Sequence, residues 1–308
     1  MAEKFKTSVG GQALIEGIMM KGPRKVCAAV RRPDGGIETK QEDCQPNSWH
    51  KIPFLRGVLG MIDSLLSGYK WLMYSAEISM NEQTFEQEQS KLDKWLSEHL
   101  SEKAQGFVMA MAAVVGGLMA MVLFMVLPTA IVGFLGNFLP LDGVRTLLEG
   151  ILKMTLFVVY LALVRNMKDI KRMFQYHGAE HKTIACYEAG EPLTIENVRK
   201  QSRFHPRCGT SFLVLVLLIS ILLFSALPWS STGLRVVLKV LLLPLVMGIS
   251  YELIKIAGRY DNIATRILSA PGLWIQRLTT NEPDDSMIEI AIAAITPVLP
   301  ENWEEGKW

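Results

Sequence analysis

Residues 106–141 read GFVMAMAAVVGGLMAMVLFMVLPTAIVGFLGNFLPL, a stretch that contains no charged side chain. A helix needs about 20 apolar residues to cross the hydrocarbon core of a bilayer. The stretch is long enough for one span. Pro128 is expected to end that helix, leaving a short re-entrant or interfacial piece after it. The sequence therefore predicts a membrane protein.

Three further apolar stretches follow, at roughly residues 144–164, 209–228 and 234–254. With the first stretch they predict a mainly α-helical, polytopic membrane protein with about four transmembrane helices. The predicted helices fall in two pairs, one within 106–164 and one within 209–254.

The loops between the predicted spans differ in their basic residues. Residues 128–143 and 228–233 contain no lysine or arginine, whereas the loop 165–211 contains nine. Cytoplasmic loops of membrane proteins carry the excess of lysine and arginine. The pattern predicts that both termini and the loop 165–208 lie in the cytosol.

Charged residues inside the spans bear on function. Glu149 and Lys153 are expected to neutralise each other in part as an i,i+4 pair. Lys153, Arg235 and Lys239 are expected near the outer ends, where their side chains snorkel to water. Because no ionisable residue falls near a predicted midplane, a transporter is disfavoured.

Residues 1–54 are predicted to be a cytosolic, glycine-rich segment that contains short strands. Within it, VCAAV, RRPDGG and IETK (residues 26–40) predict a hairpin with its turn at residues 33–36.

Residues 55–105 are predicted to form amphipathic helices, one over 55–76 and one over 81–105. In the first helix a charged residue recurs every seventh position, opposite the apolar residues. Such a helix suits the membrane surface, a partner helix or a soluble domain, and the sequence leaves these alternatives open.

The tail, residues 255–308, is also predicted to be cytosolic. An acidic turn at residues 282–285 is expected to cap a helix that starts near Ser286. This helix is expected to pack on the cytosolic domain rather than cross the membrane.

Composition excludes several other classes of protein. The chain has 308 residues, of which 50% are hydrophobic, and a net charge of +2. No basic run is interleaved with aromatic residues, so no nucleic-acid partner is expected. Four cysteines without a CxxC pair do not form a disulfide framework in a chain of this length. The N-terminus has no apolar core of a signal peptide, so the chain is expected to start in the cytosol.

The sequence YHGAEHKT, residues 176–183, contains candidate metal-binding and catalytic side chains. It lies in a segment predicted to be one helix that stops at Gly190. On that helix His177 and His181 share a face, so both imidazoles can reach one metal ion. Glu180 is placed to act as a general base. This is H-x-x-E-H, the inverted zincin motif, and it predicts a zinc site.

A third ligand must come from elsewhere in the chain. Glu252 is one candidate, because inverzincin-like enzymes take a glutamate from a later helix. His205 and Cys208, in RFHPRCGTSF, are the others. Two interpretations without a metal stay open. The histidines and Glu180 form a polar cluster that stabilises helix ends, and Cys208 is an inert buried thiol in a turn.

Five segments together resemble one family over residues 8–300: GGQALIEGIMMKGP, PFLRGV, QYHGAEHKTIACYEAG, FHPRCGTSF and TTNEPDDSMIEIAIAAI. They are similar to the DUF1385 (YqhQ-like) family of bacterial membrane proteins. The resemblance implies a multi-pass protein of the bacterial plasma membrane. It also implies a predicted metal-dependent enzyme, and it brings no established substrate.

Two functional hypotheses follow. The first is a membrane-embedded, cytosol-facing zinc-dependent hydrolase that cleaves peptide or amide bonds. The second is a non-enzymatic membrane scaffold or membrane-protein assembly factor, in which the histidines form a structural metal site or a polar cluster. Both place the chain in the lipid bilayer, and the second adds membrane-protein partners.

Overall fold

The structure is a computed structural model, and it describes residues 6–44, 52–80, 102–141, 143–260, 262–300, 302 and 305–306. It divides into two compact units. Unit 1 comprises Met1–Ser79, Tyr160–Ser220 and Leu243–Trp308, and unit 2 comprises Met80–Val159 and Ile221–Leu242. Most of the amphipathic helix predicted over 81–105 lies outside the described residues.

The described chain is mainly helical, as predicted, with a small sheet near the N-terminus. The strands are β1 Gly10–Leu14, β2 Gly17–Lys21, β3 Lys25–Arg31 and β4 Ile37–Asp43. The helices are α1 Leu55–Ser79, α2 Glu102–Met121, α3 Leu127–Leu135, α4 Arg145–Val164, α5 Lys168–Glu188, α6 Ile195–Lys200, α7 Gly209–Ser225, α8 Thr232–Arg259, α9 Ile263–Thr279 and α10 Asp285–Ile295. A π-helical turn, Val122–Val126, joins α2 to α3, and a 3₁₀ turn, Thr296–Val298, follows α10.

The sheet is an antiparallel meander in the order β1-β2-β3-β4. The predicted hairpin is confirmed: β3 pairs with β4 from Arg31 opposite Ile37. Gly35 takes the left-handed conformation that the turn requires, with φ +86°. The Asp34 carboxylate accepts a hydrogen bond from the Gly36 N–H at 2.8 Å and holds the turn closed.

Helices cover both faces of this sheet, which explains why β2 and β3 are almost continuously apolar. On one face Ile18, Met20 and Ala29 pack against α5 and α10. On the other face Met19 and its neighbours pack against Trp71 of α1. The sheet therefore fixes α5, the helix that carries the histidine motif.

The tail helix is confirmed as a packing element. Within α10, Ile288 and Ile295 are fully buried. The Asp284 carboxylate caps the helix by accepting from the Met287 N–H at 3.0 Å. The predicted end of α5 is also confirmed, since Gly190 follows it with φ +69°.

Among the described residues, three helical segments are long and apolar enough to span a membrane: Met111–Leu135, α4 and α8. The remaining predicted span corresponds to α7, an apolar helix of 17 residues. Length and composition thus indicate a membrane protein with three candidate spanning helices.

The first of these segments does not end at Pro128, contrary to the prediction. Its helix continues to Leu135 after the π-helical turn Val122–Val126. Proline lacks an N–H and crowds the carbonyl four residues earlier, which normally breaks an α-helix. The wider π turn changes the hydrogen-bond register at this point. The Thr129 hydroxyl oxygen also lies 2.7 Å from the Met125 carbonyl oxygen.

Lys153, Arg235 and Lys239 of unit 2 are buried, so the prediction that their side chains snorkel was wrong. Arg235 and Lys239 are fully buried, and Lys153 is 5% exposed. Glu149 accepts from Lys239 and from the Thr129 hydroxyl with one oxygen, and from Arg235 at 3.2 Å with the other. Glu149 offsets part of the positive charge and hydrogen-bonds Arg235 and Lys239, and Arg235 also donates to the Phe224 carbonyl at 3.0 Å. These hydrogen bonds lower the cost of burying the charged groups.

Candidate metal centre

Helix α5 brings the two motif histidines together. His177 and His181 lie one turn apart, and their ring centroids are 4.3 Å from each other. The helix lies against the sheet through Tyr176, Ala179 and Ile184. The adjacent side of the helix carries both imidazoles and faces the segment that precedes α7, since His177 contacts Cys208 and His181 contacts the Arg203 carbonyl.

Cys208 completes a three-residue cluster. One donor atom from each of His177, His181 and Cys208 falls in a group whose members all lie within 4.8 Å of one another. His177 Nε2 lies 3.1 Å from Cys208 Sγ. Among the described residues, this is the group of His, Cys, Asp and Glu side chains that meets the geometry for holding a metal ion.

Backbone carbonyls orient both imidazoles. His177 Nδ1 lies 2.8 Å from the Thr279 carbonyl, and His181 Nδ1 lies 2.6 Å from the Arg203 carbonyl. A carbonyl oxygen only accepts, so each Nδ1 carries a proton, and Nε2 is the nitrogen that is left to bind a metal once it is deprotonated. Histidines that bind metals are typically oriented in this way.

Gly178 explains how the Thr279 carbonyl reaches His177. A Cβ at position 178 would collide with the carbonyl oxygen of Asn281. The Asn281 N–H in turn donates to the Phe174 carbonyl at 2.8 Å, which fixes the 279–281 segment on α5. Glycine at position 178 is thus required for the 279–281 segment to lie this close to α5.

Glu180 lies beside the cluster and is 5% exposed. Gly11 of strand β1 lies close to its carboxylate, since a Cβ at Gly11 would lie 3.1 Å from the carboxyl carbon. Burial raises the pKa of Glu180, while His177 and His181 oppose this increase. The carboxyl is therefore held in a dry position where its proton affinity is increased.

The electrostatics of the cluster favour a thiolate at Cys208. Burial alone would raise the pKa of Cys208, but the neighbouring His177 and His181 hold it well below its usual range. Burial likewise lowers the pKa of His177, but Cys208 and then Glu180 override this effect and raise it to about 9. The Thr210 N–H also donates to the sulfur at 3.4 Å, at the positive end of α7.

His205 lies next to the cluster and has other partners. Its ring centroid is 5.6 Å from that of His181, while its Nε2 lies 3.6 Å from a Glu188 oxygen and 3.3 Å from Arg207. The backbone of His205 is held at two points by Gln276, which accepts from its N–H at 2.8 Å and donates to its carbonyl at 2.7 Å. The structure thus makes His205 part of the support of the 203–208 segment.

Glu252 is not among the three clustered donors. Its carboxylate accepts from both the Nε and the Nη2 of Arg56, and from the Phe54 N–H at 3.2 Å. Of the five candidate ligands, the structure therefore brings together His177, His181 and Cys208.

Comparison with known proteins supports the predicted resemblance. The family described as "Protein of unknown function (DUF1385)" matches residues 52–301. The chain belongs to this family. A curated relative, "Uncharacterized protein YqhQ" of Bacillus subtilis (strain 168), is 35% identical over 305 residues, which cover 96% of this chain and 93% of the relative. No solved structure matches the chain.

The donor set of this DUF1385 protein fits zinc. Two imidazoles and one thiolate are ligands that Zn²⁺ prefers, and three protein ligands are the usual number in a site that keeps one position open. Glu180 is the nearby group able to accept a proton.

Several residues that shape the centre were not predicted. The carbonyls of Thr279 and Arg203 and the amide of Gln276 carry no motif, because any residue type supplies a carbonyl and glutamine is common. Gly178 is the exception, because it lies within the motif itself. A glycine between the two histidines of one helix indicates that another backbone segment packs closely against the helix there.

Proposed function

We propose that this protein is a zinc-dependent hydrolase of the bacterial plasma membrane, with a peptidase- or amidase-like reaction. The observation that carries the proposal is the convergence of His177, His181 and Cys208 around one point. The H-x-x-E-H spacing then supplies Glu180 beside that point.

In this proposal each residue has a distinct role. His177 and His181 would hold Zn²⁺ through Nε2, and Cys208 would hold it through its thiolate. The ion would supply Lewis acidity and lower the pKa of water. Glu180 takes the proton from the attacking water and gives it to the leaving amine. Close packing of Gly11 against the Glu180 carboxyl restricts the positions that this carboxylate can take.

The proposed topology has four spans, with both termini and the metal centre on the cytosolic side. The distribution of lysine and arginine among the loops supports this orientation. The 17 residues of α7 are at the short end of the range that crosses a bilayer, so α7 is proposed as the third of the four spans.

A second candidate is a membrane scaffold or assembly factor with a structural metal site. The burial of the centre favours it, since His181 is 1%, Glu180 5% and Cys208 8% exposed. Structural zinc sites are closed, whereas catalytic sites keep an exchangeable position.

Cobalt substitution separates the two candidates without a known substrate. The detergent-purified protein is loaded with Co²⁺, and the thiolate-to-cobalt charge-transfer band reports binding at Cys208. A hydroxamate is then added. If the site is that of a hydrolase with an open metal position, binding of hydroxamate to the cobalt changes the visible absorption bands. The Glu180→Gln variant is then expected to bind cobalt as the wild type does, because Glu180 is not a ligand. Full loading with no response to hydroxamate favours the structural site, and failure to bind Co²⁺ or Zn²⁺ contradicts both metal-dependent readings.

A further inference from the structure

Two helices of unit 1 carry apolar stripes that remain exposed. The first stripe, on α1, consists of side chains that are 39–67% exposed: Leu55, Ile62, Leu65, Leu66, Tyr69 and Met73. The second, on α9, consists of Ile263, Ile267 and Trp274, which are 55–77% exposed. Single exposed apolar residues are ordinary, but contiguous rows of them mark an interaction surface.

The stripe on α1 is separate from the side of the helix that packs inside the unit. At 3.6 residues per turn, its six side chains fall within an arc of about 100° and extend over about 27 Å. Gly57, Gly68, Trp71 and Ser75 form the buried side. Trp71 packs on the sheet, so the sheet holds the stripe facing away from unit 1's own core.

Helix α9 has the same two-sided construction with a basic charge. Its buried side includes Gln276, which holds the His205 backbone. The helix contains no acidic residue, and Arg266 and Arg277 are exposed on the flank of the stripe. A basic amphipathic helix with a tryptophan on its apolar side is typical of a helix that lies at a membrane surface.

Both stripes start at the same end of α8, a helix long and apolar enough to span a membrane. Helix α9 begins directly after it, at Ile263. Helix α1 is tied to it by the ion pair of Arg56 with Glu252, and Gly57 packs closely against Tyr251. Each stripe therefore begins where this helix leaves the apolar region.

We propose that α1 and α9 lie in the membrane interface, with both stripes in contact with the lipid of the bilayer that the apolar helices span. The arginines of α9 then contact anionic headgroups at the edge of its stripe. This inference does not depend on the metal centre or on catalysis.

Spin labels on the full-length protein test the proposal. Cys44, the half-buried native cysteine, is replaced by serine, and the other three cysteines are buried. Single labels are placed at Leu66 and Ile267 in the stripes. Matched labels on the same helices are placed at Ser64 and Ala264, which are exposed outside the stripes. The protein is reconstituted in nanodiscs of phosphatidylcholine and phosphatidylglycerol.

Relaxation by oxygen, which concentrates in lipid, is compared with relaxation by a water-soluble nickel chelate. We expect oxygen to dominate at Leu66 and Ile267 and the nickel chelate to dominate at Ser64 and Ala264. Nickel access at the stripe positions equal to that of the controls would overturn the proposal, because the stripes would face water. Low access of both reagents would also overturn it, since a protein partner or second copy would then cover the stripes.

Discussion

His177 Nε2 and Cys208 Sγ lie 3.1 Å apart although 31 residues separate them in the chain. The first belongs to α5, and the second directly precedes α7. Together with His181 they form a group of three metal-ligand side chains of the types that zinc prefers, all within unit 1. It also separates the candidate centre from Glu252, whose carboxylate is engaged by Arg56.

The choice of third ligand is testable by metal content. We expect Cys208→Ala to lose the bound metal and Glu252→Ala to retain it, because Cys208 lies in the cluster and Glu252 does not. Metal is measured by mass spectrometry on protein that elutes as a single species in detergent. Cys186→Ala, which removes another buried thiol, is the matched control and should retain the metal. Loss in Glu252→Ala with retention in Cys208→Ala would contradict this assignment.

Gly178→Ala should weaken metal binding without touching a ligand. The new methyl group collides with the Asn281 carbonyl and displaces the Thr279 carbonyl from His177 Nδ1. Loss of such an orienting contact typically lowers metal affinity by about 10–100-fold. Competition with a zinc-binding dye measures the affinity. Gly116→Ala, where the added Cβ meets no atom within 4 Å, should bind as the wild type does. Equal affinity in both variants would show that the carbonyl contact does not orient His177.

Glu149→Gln should strongly destabilise unit 2. It removes the carboxylate that Arg235 and Lys239 share, and both cations are fully buried. Breaking a buried pair in this way costs about 3–5 kcal/mol in the free energy of unfolding. Unfolding in mixed micelles of dodecyl sulfate and a mild detergent measures the loss.

The matched control for that variant is Glu289→Gln, which removes the exposed ion pair with Arg31. Exposed pairs contribute about 0–1 kcal/mol. A similar small loss in both variants would mean that the cluster around Glu149 does not stabilise the fold.

Asp284→Ala should destabilise α10 in a pH-dependent way. Loss of an N-cap costs about 0.5–2 kcal/mol. Burial would raise the pKa of Asp284, but hydrogen bonds from the Ser286 hydroxyl and the Met287 N–H override it and lower the pKa. A lowered folded-state pKa stabilises the fold above the unfolded value of about 3.9, and this stabilisation is lost as the pH falls through the folded value.

The difference in melting temperature between wild type and Asp284→Ala should therefore be largest near neutral pH and shrink on acidification. Asp284→Asn keeps a good capping side chain and should lose less stability at neutral pH. A difference for Asp284→Ala that stays constant down to acid pH would contradict the proposed role of the charge.

Local patterns predicted much of the fold. The hairpin around Gly35, the end of α5 at Gly190 and the cap at Asp284 all depend on neighbouring residues, so turn and capping rules were sufficient. The apolar stretches predicted Met111–Leu135, α4 and α8 for the same reason. The end predicted at Pro128 failed because a π-helical turn two residues earlier changes what a proline does.

The buried charges of unit 2 show a different limit. Helical spacing places Glu149 and Lys153 on one side of α4, but it carries no information about α8. In the structure Glu149 forms ion pairs with Arg235 and Lys239, which are 86 and 90 residues away along the chain. The snorkelling prediction failed because it considered each span alone.

The candidate metal centre likewise has one part that follows from local sequence and one part that does not. The sequence by itself determined that His177, Glu180 and His181 share one side of a helix, because their spacing follows from 3.6 residues per turn. It could not choose among Glu252, His205 and Cys208. Only the tertiary structure decided that Cys208 meets the histidines, because the positions of the 203–208 and 279–281 segments on α5 depend on contacts that no local periodicity encodes.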